Sequence, residues 1–189
     1  MSPGDRLRRF RSFPKAPAPN DDIAAVKSNL PSDAVELQQN ILAYHVAHHP
    51  GSSVFGHDQA KGLKLVELYV RPRSSEDDDP ARKARMLNVH GTLAGPCLTL
   101  FLDVASFSAL FALGTIVNMD PSGFSTSMNI VWHAPATRGM TLRFVNRSLS
   151  LTPRLGAARC EVYDKRTGRL LASATQIVSP IQALPAPGS

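Results

Sequence analysis

Cysteine is scarce in this 189-residue chain: Cys97 and Cys160 are the only two, too few and too far apart for a disulfide framework or a paired metal-ligand pattern. Missing too is an unbroken apolar run of the roughly 18 residues that read as a membrane span, because Asp103 interrupts the longest candidate. No apolar signal-peptide core follows Met1, so no leader and no transmembrane segment are expected. Nucleic-acid binding requires a basic face carried through the folded part. Here the formal net charge of +6 is weighted toward the start, where Arg6, Arg8, Arg9, Arg11 and Lys15 stand against Asp5, and no nucleic-acid partner is expected. His45, His48 and His49 are crowded together without an acidic or cysteine companion, so no metal is expected either.

The organisation follows from what is present. Pro3, Gly4 and Pro14 interrupt any amphipathic helix near the start, which makes residues 1–22 a flexible, basic, proline-rich segment. It has two readings, a disordered basic tail and a mitochondrial-type targeting segment, and both the cytoplasm and the mitochondrion are compatible with them. The composition ALPAPGS at 183–189 makes 182–189 a flexible tail. One domain is left, 23–181, long enough to bury a sizeable core.

Within it, SDAVELQQNILAYHVAHHP at 32–50 predicts one or two short helices with Ser32 as cap, and GLKLVELYVRP at 62–72 predicts a strand ending at Pro72. The acidic-then-basic block 74–85 reads as a solvated loop. A very apolar helix follows over the 90s to 113, and then four apolar-polar stretches at 122–135, 139–149, 155–168 and 169–180. DKRTG at 164–168 and the Pro135–Gly139 bracket are expected hairpin connections. A helix apolar on nearly all sides must be covered on nearly all sides, so the expected architecture is α+β, an antiparallel sheet wrapped around a central helix.

Asp103 is the anomaly. A buried carboxylate costs several kcal/mol unless it is paired, yet it stands in that helix with Thr99 and Ser106 as a polar stripe at helical spacing. The stripe is expected to face something other than the sheet, a cleft or a second subunit. Upstream, GTLAGP at 91–96 feeds the helix start, where amides without intrahelical partners attract a carbonyl oxygen or an anion. Each feature also has a plain structural reading: Asp103 held by hydroxyls or by an arginine across an interface, the glycine turn a tight loop, Asn88 and His90 loop residues bonded to their own backbone. Met128, Ile130, Trp132, Phe144 and Tyr163 are expected to be core, and Cys97 a small buried residue.

Taken together, NVHGTLAGPCLTLFLDVAS and PSGFSTSMNIVWHAPATRG resemble the hotdog-fold acyl-CoA thioesterases of the PaaI and thioesterase-superfamily-member type. These carry an asparagine, a G-T-L-H-G-G turn, an aspartate in the helix and, further on, S-x-D-M-N-I-x-Y-x-x-P-A. The resemblance spans roughly 60–180 and implies a hotdog fold, assembled as a dimer or dimer of dimers, and hydrolysis of an acyl-CoA thioester without a cofactor. It further implies Asp103 as general base or nucleophile, Gly95 as oxyanion amide, Asn88 as positioning group and Ser125 as holder of the attacking water. Composite sites are implied, with Asn88 and Gly95 from one chain and Asp103 and Ser125 from the other. Basic residues are expected to meet the phosphates of coenzyme A, with Arg138, Arg143 and Arg147 as candidates. The chain departs from the pattern at Ala94 in place of the histidine, Pro96 in place of the second glycine, and Ser127 in place of the acid. Ala94 argues against a dehydratase of the same fold. A non-catalytic acyl or acyl-CoA binding protein and a scaffold dimer stay open.

Overall fold

The computed structural model describes residues 11, 13, 15, 23–46, 56, 63–68 and 86–180. Most of the basic first segment, His48 and His49, the block 74–85 and the tail lie outside the described residues. After a short 3-10 turn at Ile23–Ala25 come β1 (Lys27–Ser28), α1 (Ser32–Val46), β2 (Glu67–Leu68), α2 (Gly95–Val117), β3 (Gly123–Trp132), β4 (Leu142–Leu151), β5 (Gly156–Asp164) and β6 (Leu170–Pro180).

The 23 residues of α2 hold together for local reasons. Pro96 sits in the first turn, where a missing N–H costs nothing, and no proline follows. The helix stops where Asn118 turns left-handed at φ 53° and its amide meets the carbonyl of Gly114. Gly114 has to be glycine: a β-carbon there would collide with the carbonyl of Met119 and with Pro121. Despite Asp103, α2 is by length and composition apolar enough to cross a membrane. In this fold it is the core helix. Leu98, Phe101, Leu102 and Ala105 pack on Cys160, Val162, Ala172 and Ala174, and Leu110 packs on Ala158 and Val178. The small residues on β5 and β6 let the helix lie close, and burying Leu102 alone contributes about 1.5–3 kcal/mol.

Four strands form the antiparallel sheet in the order β3-β6-β5-β4. The turn at 164–168 is the expected hairpin, with the amide of Gly168 donating to the carbonyl of Asp164 at 2.8 Å and Gly168 at φ +68°. The Pro135–Gly139 bracket is not a hairpin. β3 and β4 lie at opposite edges, so this connection crosses the end of the sheet, and a local turn signal carries no information about which strands it joins. The amide of Leu93 donates to Ala136 at 2.8 Å and Thr92 bridges Thr137, tying the crossing to the turn before α2.

Three smaller expectations are also corrected. Residues 32–46 form one helix that begins at Ser32 itself, and the carbonyl of Pro31 accepts its first amides, Ala34 at 3.0 Å and Val35 at 3.2 Å. Of the 62–72 stretch the described residues are 63–68, and among them Glu67–Leu68 is strand, paired in parallel with β1. Tyr163 is not core: its hydroxyl donates to Glu161 at 3.1 Å. Phe144 is core, edge-on to Phe101 with ring centroids 6.1 Å apart. Near the start of the chain, Phe13 stacks on Tyr44 of α1 at 4.2 Å.

Candidate active site

Asp103 meets its own sheet, which corrects the expectation that the polar stripe faces away from it. Its Oδ1 accepts from the hydroxyl of Ser125 at 2.7 Å and from the side-chain amide of Gln176 at 2.5 Å. The same amide nitrogen donates to Ser125 Oγ at 2.7 Å, closing a triangle. Ser106, on the stripe, is wholly buried, and Thr99 donates back to the carbonyl of Gly95 at 3.0 Å. Of the stripe, Asp103 alone reaches polar side chains of β3 and β6; the Ser106 hydroxyl has no hydrogen-bond partner among the described residues.

A β-bulge brings Ser125 to Asp103. Ser125 pairs with Val178 and Ser127 with Ile177, leaving Thr126 as the extra residue. Side chains alternate between faces, so Ser125 and Met128 would point to opposite faces in a regular strand. The inserted residue shifts the parity. Ser125 then shares the inner face with Val178, and Met128 with its register partner Gln176.

The other implied residues gather at the helix start, eight residues or about 12 Å along the axis from Asp103. Ala94 donates to Met86 at 2.8 Å, Leu98 donates to Ala94 at 3.1 Å, and Pro96 has no N–H. Gly95 and Cys97 remain, with no acceptor among the described residues, and a helix N-terminus makes both amides attractive to a developing oxyanion. Burial pushes the Cys97 thiol up, which keeps it protonated and a poor nucleophile.

Asn88 is occupied by its turn. Its Oδ1 accepts from the amides of His90 at 2.9 Å and Thr92 at 3.2 Å, and its Nδ2 donates to Thr92 Oγ1 at 2.8 Å. One N–H of the carboxamide is left over. The turn and the β3–β4 crossing enclose a cleft of about 420 Å³ lined by Thr92, Gly95, Leu98, Trp132, His133 and Pro135 among others.

Trp132, expected in the core, is half exposed, and its ring would stand 3.8 Å from a β-carbon at Gly95. It forms a wall of the cleft. His133 Nε2 pairs with Ser173 Oγ at 3.0 Å. Arg138 is exposed in the crossing loop beside the cleft residue Ala136. Arg143 and Arg147 stand on β4, the sheet edge opposite β3. Among the described residues no three His, Cys, Asp or Glu side chains group as metal ligands.

Zebra fish thioesterase superfamily member 2 is similar to this chain, with a TM-score of 0.53 over 68% of this chain and 88% of that one, at 17% identity. The fold is a hotdog. Mouse thioesterase superfamily member 2 matches at 26% identity and a TM-score of 0.44, over 50% of this chain and 65% of the mouse chain. This chain thus spans just under two thirds of the mouse protein. A hypothetical thioesterase protein from Streptococcus pneumoniae, solved with coenzyme A, matches at 17% identity and a TM-score of 0.45, over 50% of this chain and 68% of that one. No family model and no curated protein matches the chain.

Gln176 was not visible as a site residue in the sequence motifs. A signal for it exists, since the inner positions of β6 run Ala172, Ala174, Gln176, Val178, and an amide on an otherwise apolar face needs a partner.

Proposed function

We propose that this protein hydrolyses an acyl-CoA thioester to the free acid and CoA, at sites shared between two copies of the chain. The observation that carries the reading is the hydrogen bond between Asp103 on the core helix and Ser125 on β3. It fixes one carboxylate oxygen and leaves the other free as a base. The thioester carbonyl lies against the Gly95 amide, with the Cys97 amide beside it, and the acyl chain lies along the apolar cleft at Trp132. Asp103 takes a proton from water while the water oxygen bonds to the carbonyl carbon. The tetrahedral intermediate then collapses, the carbon–sulfur bond breaks, and the departing CoA sulfur receives that proton. In the alternative route the carboxylate attacks the carbonyl directly and water hydrolyses the resulting anhydride.

Ser125 spends its proton on Asp103, so it contributes only a lone pair to hold the water. Asn88 has its spare N–H for the acyl or thioester end, and Arg138 is the best-placed of the three arginine candidates for a CoA phosphate.

A span of about 12 Å along one helix keeps the Gly95 amide and Asp103 of a single chain from reaching one carbonyl. A second copy resolves this. β3 has no partner on its outer edge among the described residues and exposes Phe124, Val131 and Trp132. An open ten-residue edge of this kind, without a charged residue, is a template for strand pairing. A dimer is the minimum assembly, and a dimer of dimers is what the resemblance implies.

The test is release of CoA thiol from acyl-CoAs of increasing chain length. The parent is expected to turn over, and Asp103→Asn is expected to lower kcat by about 10²–10⁴-fold with melting temperature and oligomeric mass unchanged. Tight acyl-CoA binding without release would establish the non-catalytic binding reading, which the missing N–H at Pro96 favours.

A further inference from the structure

Among the described residues the Asp103 carboxylate has no counter-charge in its surroundings. Asp103 is the only charged residue of α2, and β3 and β6 carry none at all. On β5 the inner positions are Ala158, Cys160 and Val162, while Arg159 and Glu161 pair with each other at 2.9 Å and Asp164 is bound into its own turn. Arg143 and Arg147 belong to the far strand β4. On α1, Glu36 pairs with Lys15 at 3.1 Å, and His45 meets the carbonyl of Ile41 at 2.7 Å. What holds the Asp103 carboxylate in place is therefore hydrogen bonding, from one hydroxyl and one amide.

Gln176 makes its bond to Asp103 under an unusual condition. It is completely buried, and its Oε1 has no partner among the described residues, an omission that costs about 1–3 kcal/mol. The orientation of the amide is fixed by chemistry: a carboxylate only accepts, so the NH2 end must face Asp103. An apolar side chain of similar volume would avoid the orphaned oxygen. The amide is retained for its nitrogen, whose two hydrogens go to Asp103 Oδ1 and Ser125 Oγ.

We infer that Gln176 is a positioning residue for the hydrolytic step, locking Asp103 Oδ1 together with Ser125 so that Oδ2 alone presents to the substrate. This inference deepens the thioesterase reading and rests on it. Gln176 does not touch the substrate, so its loss acts on kcat rather than on KM. The bulge turns Ser125 inward, and the same amide orients the hydroxyl whose proton goes to Asp103.

The experiment uses the full chain with 15N in the glutamine side-chain amides, assigning Gln176 by the signal lost in Gln176→Met, which keeps length and burial. The Gln176 side-chain amide shifts are compared between the parent, Asp103→Asn and Ser125→Ala, and the kinetics of CoA release and the melting temperature are measured in the parent, in Gln176→Met and in Gln176→Glu, which keeps shape. The expected result is a Gln176 amide signal displaced in Asp103→Asn and in Ser125→Ala, together with a fall in kcat of about tenfold or more at nearly constant KM in both Gln176 variants. An amide signal unmoved in both Asp103→Asn and Ser125→Ala overturns the inference, as does a change in KM alone. A parent that releases no thiol from any acyl-CoA sinks the hydrolytic reading instead, and the amide shifts still decide whether Gln176 holds Asp103 and Ser125.

Discussion

At the scale of single residues, polar side chains in this protein are placed by the hydrogen bonds available to them. Asp164 shows the pattern away from the site. Its Oδ2 accepts from Thr167 at 2.7 Å and its Oδ1 from the amide of Arg166 at 3.0 Å, and these bonds, led by Thr167, hold its carboxyl below the usual carboxylate value. A depressed folded-state pKa stabilises the fold fully above the unfolded value, and that stability is lost as pH falls through the folded value. Asp164→Asn is therefore expected to flatten the loss of thermal stability below about pH 4, as read by melting curves across pH. Equal acid sensitivity in variant and parent would remove Asp164 from the account.

Asp103 was legible in the sequence because a carboxylate in an apolar helix demands an explanation, and Ser125 because the motif surrounds it. The face they share was not legible. Helical spacing gave the stripe correctly, but only the bulge at Thr126 tells that β3 turns Ser125 inward to meet it. Trp132 was misplaced for a related reason: alternation from Met128 and Ile130 put it on the core face, and that face ends at the cleft.

At the scale of elements, the four strands of the sheet and the apolar helix were readable from period and turn residues, since each signal lies within its own segment. Strand order was not, because pairing between β3 and β6 depends on the whole layer covering α2. The link from α2 into β3 is the stretch on which the site's geometry depends. Residues 118–122 must reverse the chain tightly enough to bring Ser125 back along the helix to Asp103, and Gly114 permits this by admitting the Met119 carbonyl and Pro121 against the helix. Gly114→Ala is expected to destabilise the protein by about 1–3 kcal/mol through overpacking, measured by denaturant unfolding. It should also lower kcat, since the shift is transmitted to Ser125. Full stability in that variant would show that the turn tolerates displacement.

At the scale of the whole molecule, the proposed function needs two places on one helix: amides and an apolar cleft at the start of α2, and an anchored carboxylate two turns further on. On that proposal the two act together only across a pair of chains. The most direct test is subunit complementation. Asp103→Asn removes the base. The other half-site is impaired by Gly95→Pro, which deletes the Gly95 donor while Pro96 stays and adds no new N–H. The preceding Ala94 already has the extended backbone, φ −63° and ψ 133°, that a following proline requires. Each variant alone is expected to be strongly impaired. In a mixed dimer one site carries both changes and the other neither, so unfolding and refolding an equal mixture should restore roughly a quarter of parental CoA release, with exchange verified by mass. Recovery near that level is what shared sites predict. No recovery in a mixture proven to contain mixed dimers would place the complete site within one chain and contradict the account.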